Sequence, residues 1–127
     1  MQNRVTYEFA VIRLVPKVER GEFLNIGVIL FSKQKKFIGI KYRLDQERIQ
    51  AFSREVDIEM IRSYLKAWEA VCTGGKQGGE IGKLDIPSRF RWLVASRSTI
   101  IQSSESHPGL CYFPEKVLEQ LYQRLVL

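Results

Sequence analysis

Two stretches, Val5 to Val15 and Leu24 to Phe31, are dominated by β-branched and aromatic residues in short runs without a helical stripe, a pattern that favours strands. Pro16-Lys17-Val18-Glu19-Arg20-Gly21-Glu22 lies between them, with a proline that cannot donate in a ladder and a glycine that tolerates positive φ; this predicts a hairpin with a longer loop. A third run, Phe37 to Arg43, follows Lys33-Gln34-Lys35-Lys36 and completes a three-stranded antiparallel meander. Aligning Val28 with Ala10 on one side and Ile40 on the other gathers Ala10, Ile12, Leu14, Leu24, Ile26, Val28, Leu30, Ile38, Ile40 and Tyr42 on one apolar face. The opposite face then carries Val5, Tyr7, Phe9, Val11, Ile29, Phe31 and Phe37 at one end and Arg13, Asn25, Lys41 and Arg43 at the other.

Beyond the meander the period changes. Asp45 is placed to cap a short helix from Gln46 to about Phe52. Asp57 caps a stronger one in which Ile58, Ile61, Leu65, Trp68 and Cys72 recur at steps of three and four, so this helix is expected to cover the apolar face formed by Ile26, Val28 and Ile40. Thr73 to Lys83 reads as a glycine-rich flexible loop or interaction flap. It fails as a phosphate-binding loop because Gln77 stands where the first glycine belongs, Leu84 replaces the magnesium-binding hydroxyl, and the segment follows a helix. An aromatic-basic cluster begins at Ser88, a short strand is expected over Thr99 to Gln102, Ser103 to Gly109 reads as a loop, and Pro114 opens a last helix with Val117, Leu118, Leu121, Tyr122 and Leu125 as its buried stripe. The fold class is α+β: a three-stranded antiparallel meander extended by a later short strand, packed against a central amphipathic helix and a C-terminal helix.

Length bounds this to one domain over residues 1–127, large enough to hide roughly two-thirds of the unfolded surface. Lys and Arg exceed Asp and Glu, 20 against 14, for a formal charge of +6 that favours acidic partners. No apolar run approaches the ~20 residues of a membrane span, and Glu8 and Arg13 interrupt the N-terminal apolar run where a signal peptide would need its core. The chain is expected to be soluble and cytoplasmic, with Cys72 and Cys111 as ordinary reduced thiols.

Candidate chemistry is sparse. His107 is the single histidine, beside Pro108 in a polar segment, and no nucleophile elbow is present. One histidine and two separated cysteines make no metal site, and no cofactor is expected. Arg97-Ser98-Thr99 offers a guanidinium and two hydroxyls that can bind an oxyanion, against the alternative of local turns and a structural ion pair. In the aligned meander Arg13, Asn25, Lys41 and Arg43 converge, and together with Arg97, Ser98 and Thr99 they form a candidate anion pocket. The internal alternative is pairing with Glu19 or Glu22 from the turn. Arg89, Arg91, Trp92 and Arg97 form a second candidate, a basic stretch with aromatic interleaving suited to nucleic acid.

Tyr7–Ser32 and Phe90–Leu125, above all Arg91-Trp92-Leu93 with Arg97-Ser98-Thr99-Ile100-Ile101-Gln102, resemble the bacterial family labelled domain of unknown function 3037. The resemblance implies a small bacterial protein and supplies no catalytic residues. It also implies a protein partner, a HipA-like kinase encoded nearby. The expected function is a non-enzymatic protein-interaction or regulatory module, supported by an apolar patch of Tyr7, Phe9, Phe31 and Phe37 if the last helix leaves them bare. The alternatives are a nucleic-acid binder using the basic-aromatic surface and, third, a phosphate-ester or nucleotide enzyme.

Overall fold

A computed structural model describes residues 3–127. Strands β1 (Val5–Leu14), β2 (Leu24–Ser32) and β3 (Phe37–Tyr42) form the expected antiparallel meander. The turn after β1 is a single 3-10 turn, Val18–Arg20, closed by Gly21 at φ 70°. Helices α1 (Gln46–Phe52) and α2 (Ile58–Thr73) follow. Each begins on an aspartate whose carboxylate accepts backbone N–H groups: Asp45 from Arg48, and Asp57 from Glu59 and Met60.

The glycine-rich segment is ordered as a 3-10 turn, Lys76–Gly78, and the short α3 (Gly79–Gly82). Next comes α4 (Ile86–Leu93), which strand-and-turn reading of the basic-aromatic cluster passes over. Asp85 caps it by accepting from Ser88 N–H, and Pro87 sits in its first turn. The predicted strand over Thr99–Gln102 is β4 (Ile101–Ser103), and the segment expected to be a loop contains β5 (His107–Cys111); α5 (Pro114–Leu125) closes the fold.

The sheet order is β3-β2-β1-β4, and β5 also pairs with β1. β4 and β5 are two pieces of one interrupted strand, on Ile12–Leu14 and Val5–Phe9 of β1 respectively. At the break the Val11 N–H donates to Ser104 Oγ (2.9 Å) while Ser104 N–H donates to the Val11 carbonyl (2.8 Å), so a hydroxyl stands in for a ladder carbonyl.

The register differs from the aligned one by a residue. Val28 lies opposite Val11 and Lys41, and Ile29 opposite Ala10 and Ile40. The cause is a bulge: Ile12 pairs with Gly27 and Arg13 with Asn25, leaving Ile26 as an extra residue. Below the bulge Leu24 and Ile26 face α2; above it Ile29 and Phe31 take that face and Val28 and Leu30 turn to the other. The larger core joins Ile12, Leu14, Ile26, Ile29 and Phe31 to Ile61, Leu65, Trp68, Phe90 and Leu93 of α2 and α4, and the smaller one packs Val28 and Leu30 under Leu118 and Leu121 of α5. The expected aromatic patch is thereby dissolved. Tyr7, Phe9 and Phe37 pack beneath α5, while Phe31 is buried on the other face, 4.4 Å from the Phe90 ring.

Candidate functional site

The seven residues of the candidate anion pocket fall on two faces of the sheet. Arg13 and Asn25 are paired across β1 and β2 as expected, on the α5 side, where Asn25 Nδ2 donates to the Leu125 carbonyl (3.2 Å). Arg97 belongs to the other side: its guanidinium lies 5.0 Å from the Trp68 ring and 5.0 Å from the Trp92 ring, and it donates to the Leu93 and Trp92 carbonyls at the end of α4. Thr99 bonds to Tyr64 and to the Ile101 carbonyl, and Ser98 is exposed in the turn. With the sheet between Arg13 and Arg97, the two sets do not form one pocket.

The cations of the first set find acceptors other than the turn glutamates. Lys41 pairs with Glu119 of α5 and Arg43 with Asp45 (3.5 Å), while Glu22 is taken by Arg20 (2.5 Å). Arg48, which sequence reasoning did not single out, donates to the Val126 carbonyl (2.6 Å) at the end of α5, the electronegative end of a helix where a cation is stabilised. Arg13 lies 4.1 Å from the Phe23 ring. Its Nε and the Oδ1 of Asn25 are the two buried side-chain polar atoms without a partner among the described residues.

The basic-aromatic stretch is also largely committed to the fold. Arg89 donates to the carbonyls of Val71 (2.9 Å), Cys72 (2.8 Å) and Leu84 (3.0 Å), closing the C-terminus of α2. Arg91 makes a bidentate pair with Glu8 (2.9 and 2.6 Å), and this hydrogen bonding holds the Glu8 carboxyl below the usual carboxylate range. Trp92 remains 38% exposed at the surface.

What the structure leaves open is the outer edge of β3. The Arg43 N–H donates to the Ile26 carbonyl (2.8 Å), and hydrogen-bonded pairs alternate along an antiparallel ladder, so Phe37, Gly39 and Lys41 also address β2. Ile38, Ile40 and Tyr42 therefore point their N–H and C=O groups away from the sheet, where they meet no partner among the described residues. Alongside lies a cavity of about 300 Å³ lined by Ile40, Lys41, Tyr42, Glu69 and Tyr122, between α2 on one side and α5 on the other. Tyr42 donates to Glu69 (3.5 Å); burial first, then the Glu69 charge, pushes its phenol up, so it stays a donor at neutral pH. The sheet's other edge is interrupted between β4 and β5. On β5 the outward positions are Pro108 and Leu110, and proline offers no N–H.

The model of the family described as "Protein of unknown function (DUF3037)" matches residues 9–126. The chain belongs to the DUF3037 family. The match takes in β2, β3 and every helix, and so the whole of the β3 groove. Neither the curated proteins nor the solved structures contain a match to this DUF3037 chain. Among its described residues no three His, Cys, Asp or Glu side chains gather where a metal could be held, and no helix is long and apolar enough to cross a membrane.

The β3 edge carries one residue of the candidate set, Lys41. Its neighbours Ile38, Ile40 and Tyr42 read in the sequence only as core-facing strand residues. The signal that points to them is topological: β3 is the last strand of a meander whose next elements are helices, so nothing later in the chain pairs with it.

Proposed function

We propose that this protein is a non-enzymatic interaction module that captures an extended segment of a partner protein on the outer edge of β3. The observation that carries the reading is the row of unpaired N–H and C=O groups at Ile38, Ile40 and Tyr42, beside a groove and opposite an edge blunted by Pro108. Main-chain hydrogen bonds to such a row supply affinity, and the side chains at alternate positions supply selectivity. On the α2 side the incoming strand would lie against Ile40, Tyr42 and the Glu69 carboxylate; on the α5 side it would lie over Gly39 and beside Tyr122. The favoured partner segment is thus apolar at alternate positions, with a cation placed for Glu69. The setting is the cytoplasm, and the family resemblance makes a HipA-like kinase one partner to try.

Ile40→Pro tests this. The Ile40 N–H points outward, so proline there removes an edge donor without breaking a β2–β3 bond. Random dodecapeptides displayed and selected on the wild-type protein should converge on alternating apolar residues and bind Ile40→Pro about tenfold or more weakly, a loss of ~1.4 kcal/mol or more. Selected peptides that bind both proteins equally would overturn the reading.

A further inference from the structure

The end of the sheet away from the Lys41–Tyr42 groove carries a second surface. Thr6 N–H and Oγ1 both donate to Gln34 Oε1 (2.8 and 3.0 Å), drawing the β2–β3 turn with Lys33, Lys35 and Lys36 against the start of β1. Thr6 faces Leu110 on its other side, so the lysine turn and the segment Leu110–Phe113 share this end. Lys35 is near enough to Cys111 to oppose the rise that burial causes in that thiol's pKa. Three large apolar side chains stand in water here: Leu110 (55% exposed), Tyr112 (48%) and Phe113 (39%). Lys116 lies 4.7 Å from the Phe113 ring.

The charges at this end are unbalanced. Lys33, Lys35, Lys36 and Lys116 make no carboxylate ion pair among the described residues. Of the nearby carboxylates Glu8 is held by Arg91 and Asp85 is occupied as the cap of α4, although its charge reaches Lys33; Glu115, whose charge is felt at Cys111, leaves four lysines against one carboxylate.

We infer that this end binds single-stranded nucleic acid, with the turn lysines and Lys116 on backbone phosphates and Tyr112 and Phe113 stacking on bases. Exposed rings beside unpaired cations match the two features that sequence-tolerant single-strand binding uses, a cationic track and aromatic platforms. A duplex would leave the rings without an unstacked base to meet. An acidic peptide would satisfy the lysines and leave the rings unused.

Fluorescence anisotropy with a labelled oligothymidine of about twelve nucleotides is the test. Four neutralised phosphates give a log–log salt slope of about −2.8, so affinity should weaken about 50-fold between about 50 and 200 mM salt. Lys33→Gln/Lys35→Gln/Lys36→Gln should abolish most of that slope, whereas Tyr112→Ala/Phe113→Ala should weaken binding about tenfold or more at an unchanged slope. Lys17→Gln, in the β1–β2 turn at the opposite end of the sheet, should change neither. All of these side chains are exposed, and unchanged melting temperatures would verify the fold. Absence of binding at low salt, a slope that survives the triple substitution, or competition by duplex or polyglutamate as effective as by unlabelled oligothymidine would overturn the inference. None of these results bears on the β3 edge, which Ile40→Pro tests separately.

Discussion

At the scale of single residues, several side chains serve as backbone substitutes. Ser104 is buried and its hydroxyl accepts the Val11 N–H where the ladder between β4 and β5 is broken. Ser104→Ala should leave that buried donor unsatisfied and lower the unfolding free energy by about 1–3 kcal/mol, measurable as a lower urea midpoint at unchanged slope. Glu8 contributes through its pKa. Because Arg91 holds the folded-state value below the ordinary one, its stabilisation is complete above the usual glutamate range and is lost as pH falls through the depressed folded value. Urea midpoints followed from neutral to acid pH should therefore fall less steeply in Glu8→Gln than in the wild type. Burial pushes the Cys72 thiol up to about 12, so at pH near 8 iodoacetamide should modify it only after denaturant is added.

Elements were legible in the sequence where one local signal decides them and illegible where a neighbour does. Both aspartate caps and the stripe from Ile58 to Cys72 mark α1 and α2 because capping and amphipathicity act within a few residues. Leu65 is completely buried, and Leu65→Ala should cost about 2–5 kcal/mol in a denaturation experiment. The strand register escaped because the Ile26 bulge reverses which residues of β2 face α2, and no composition signal marks an extra residue. Gly27 beside it is a trace of that geometry: a Cβ there would lie 2.7 Å from the Lys41 carbonyl and 2.9 Å from Ile12 Cδ1. Helix α4 was hidden because Arg89, Arg91 and Trp92 read as a binding surface when two of the three are tied to the fold, Arg89 to α2 carbonyls and Arg91 to Glu8. β5 was hidden by Pro108 and Gly109, which suit a loop equally well and are tolerated here because the strand is at an edge.

At the scale of the molecule, the net charge of +6 is distributed, and much of it is spent internally. Arg43, Arg91 and Lys41 pair with carboxylates; Arg48, Arg89 and Arg97 bond to helix carbonyls. That is why a cation count, or a cluster placed by assumed register, did not locate a site. Of the candidate anion pocket the Arg13–Asn25 pairing was readable, but its join to Arg97 was not, since only the tertiary fold puts a sheet between them. Two surfaces that remain open among the described residues are ones the topology creates: the unpaired β3 edge, and the end where the lysine turn meets Leu110–Phe113. Amide hydrogen exchange resolved by NMR tests the first most directly. In the free protein the amides of Gly39, Lys41 and Arg43 should be protected while those of Ile38, Ile40 and Tyr42 exchange rapidly, and the latter three should become protected when an edge-binding peptide is added. Protection of Ile38, Ile40 and Tyr42 in the free protein, or unchanged exchange there with peptide bound, would contradict an open, partner-capturing edge.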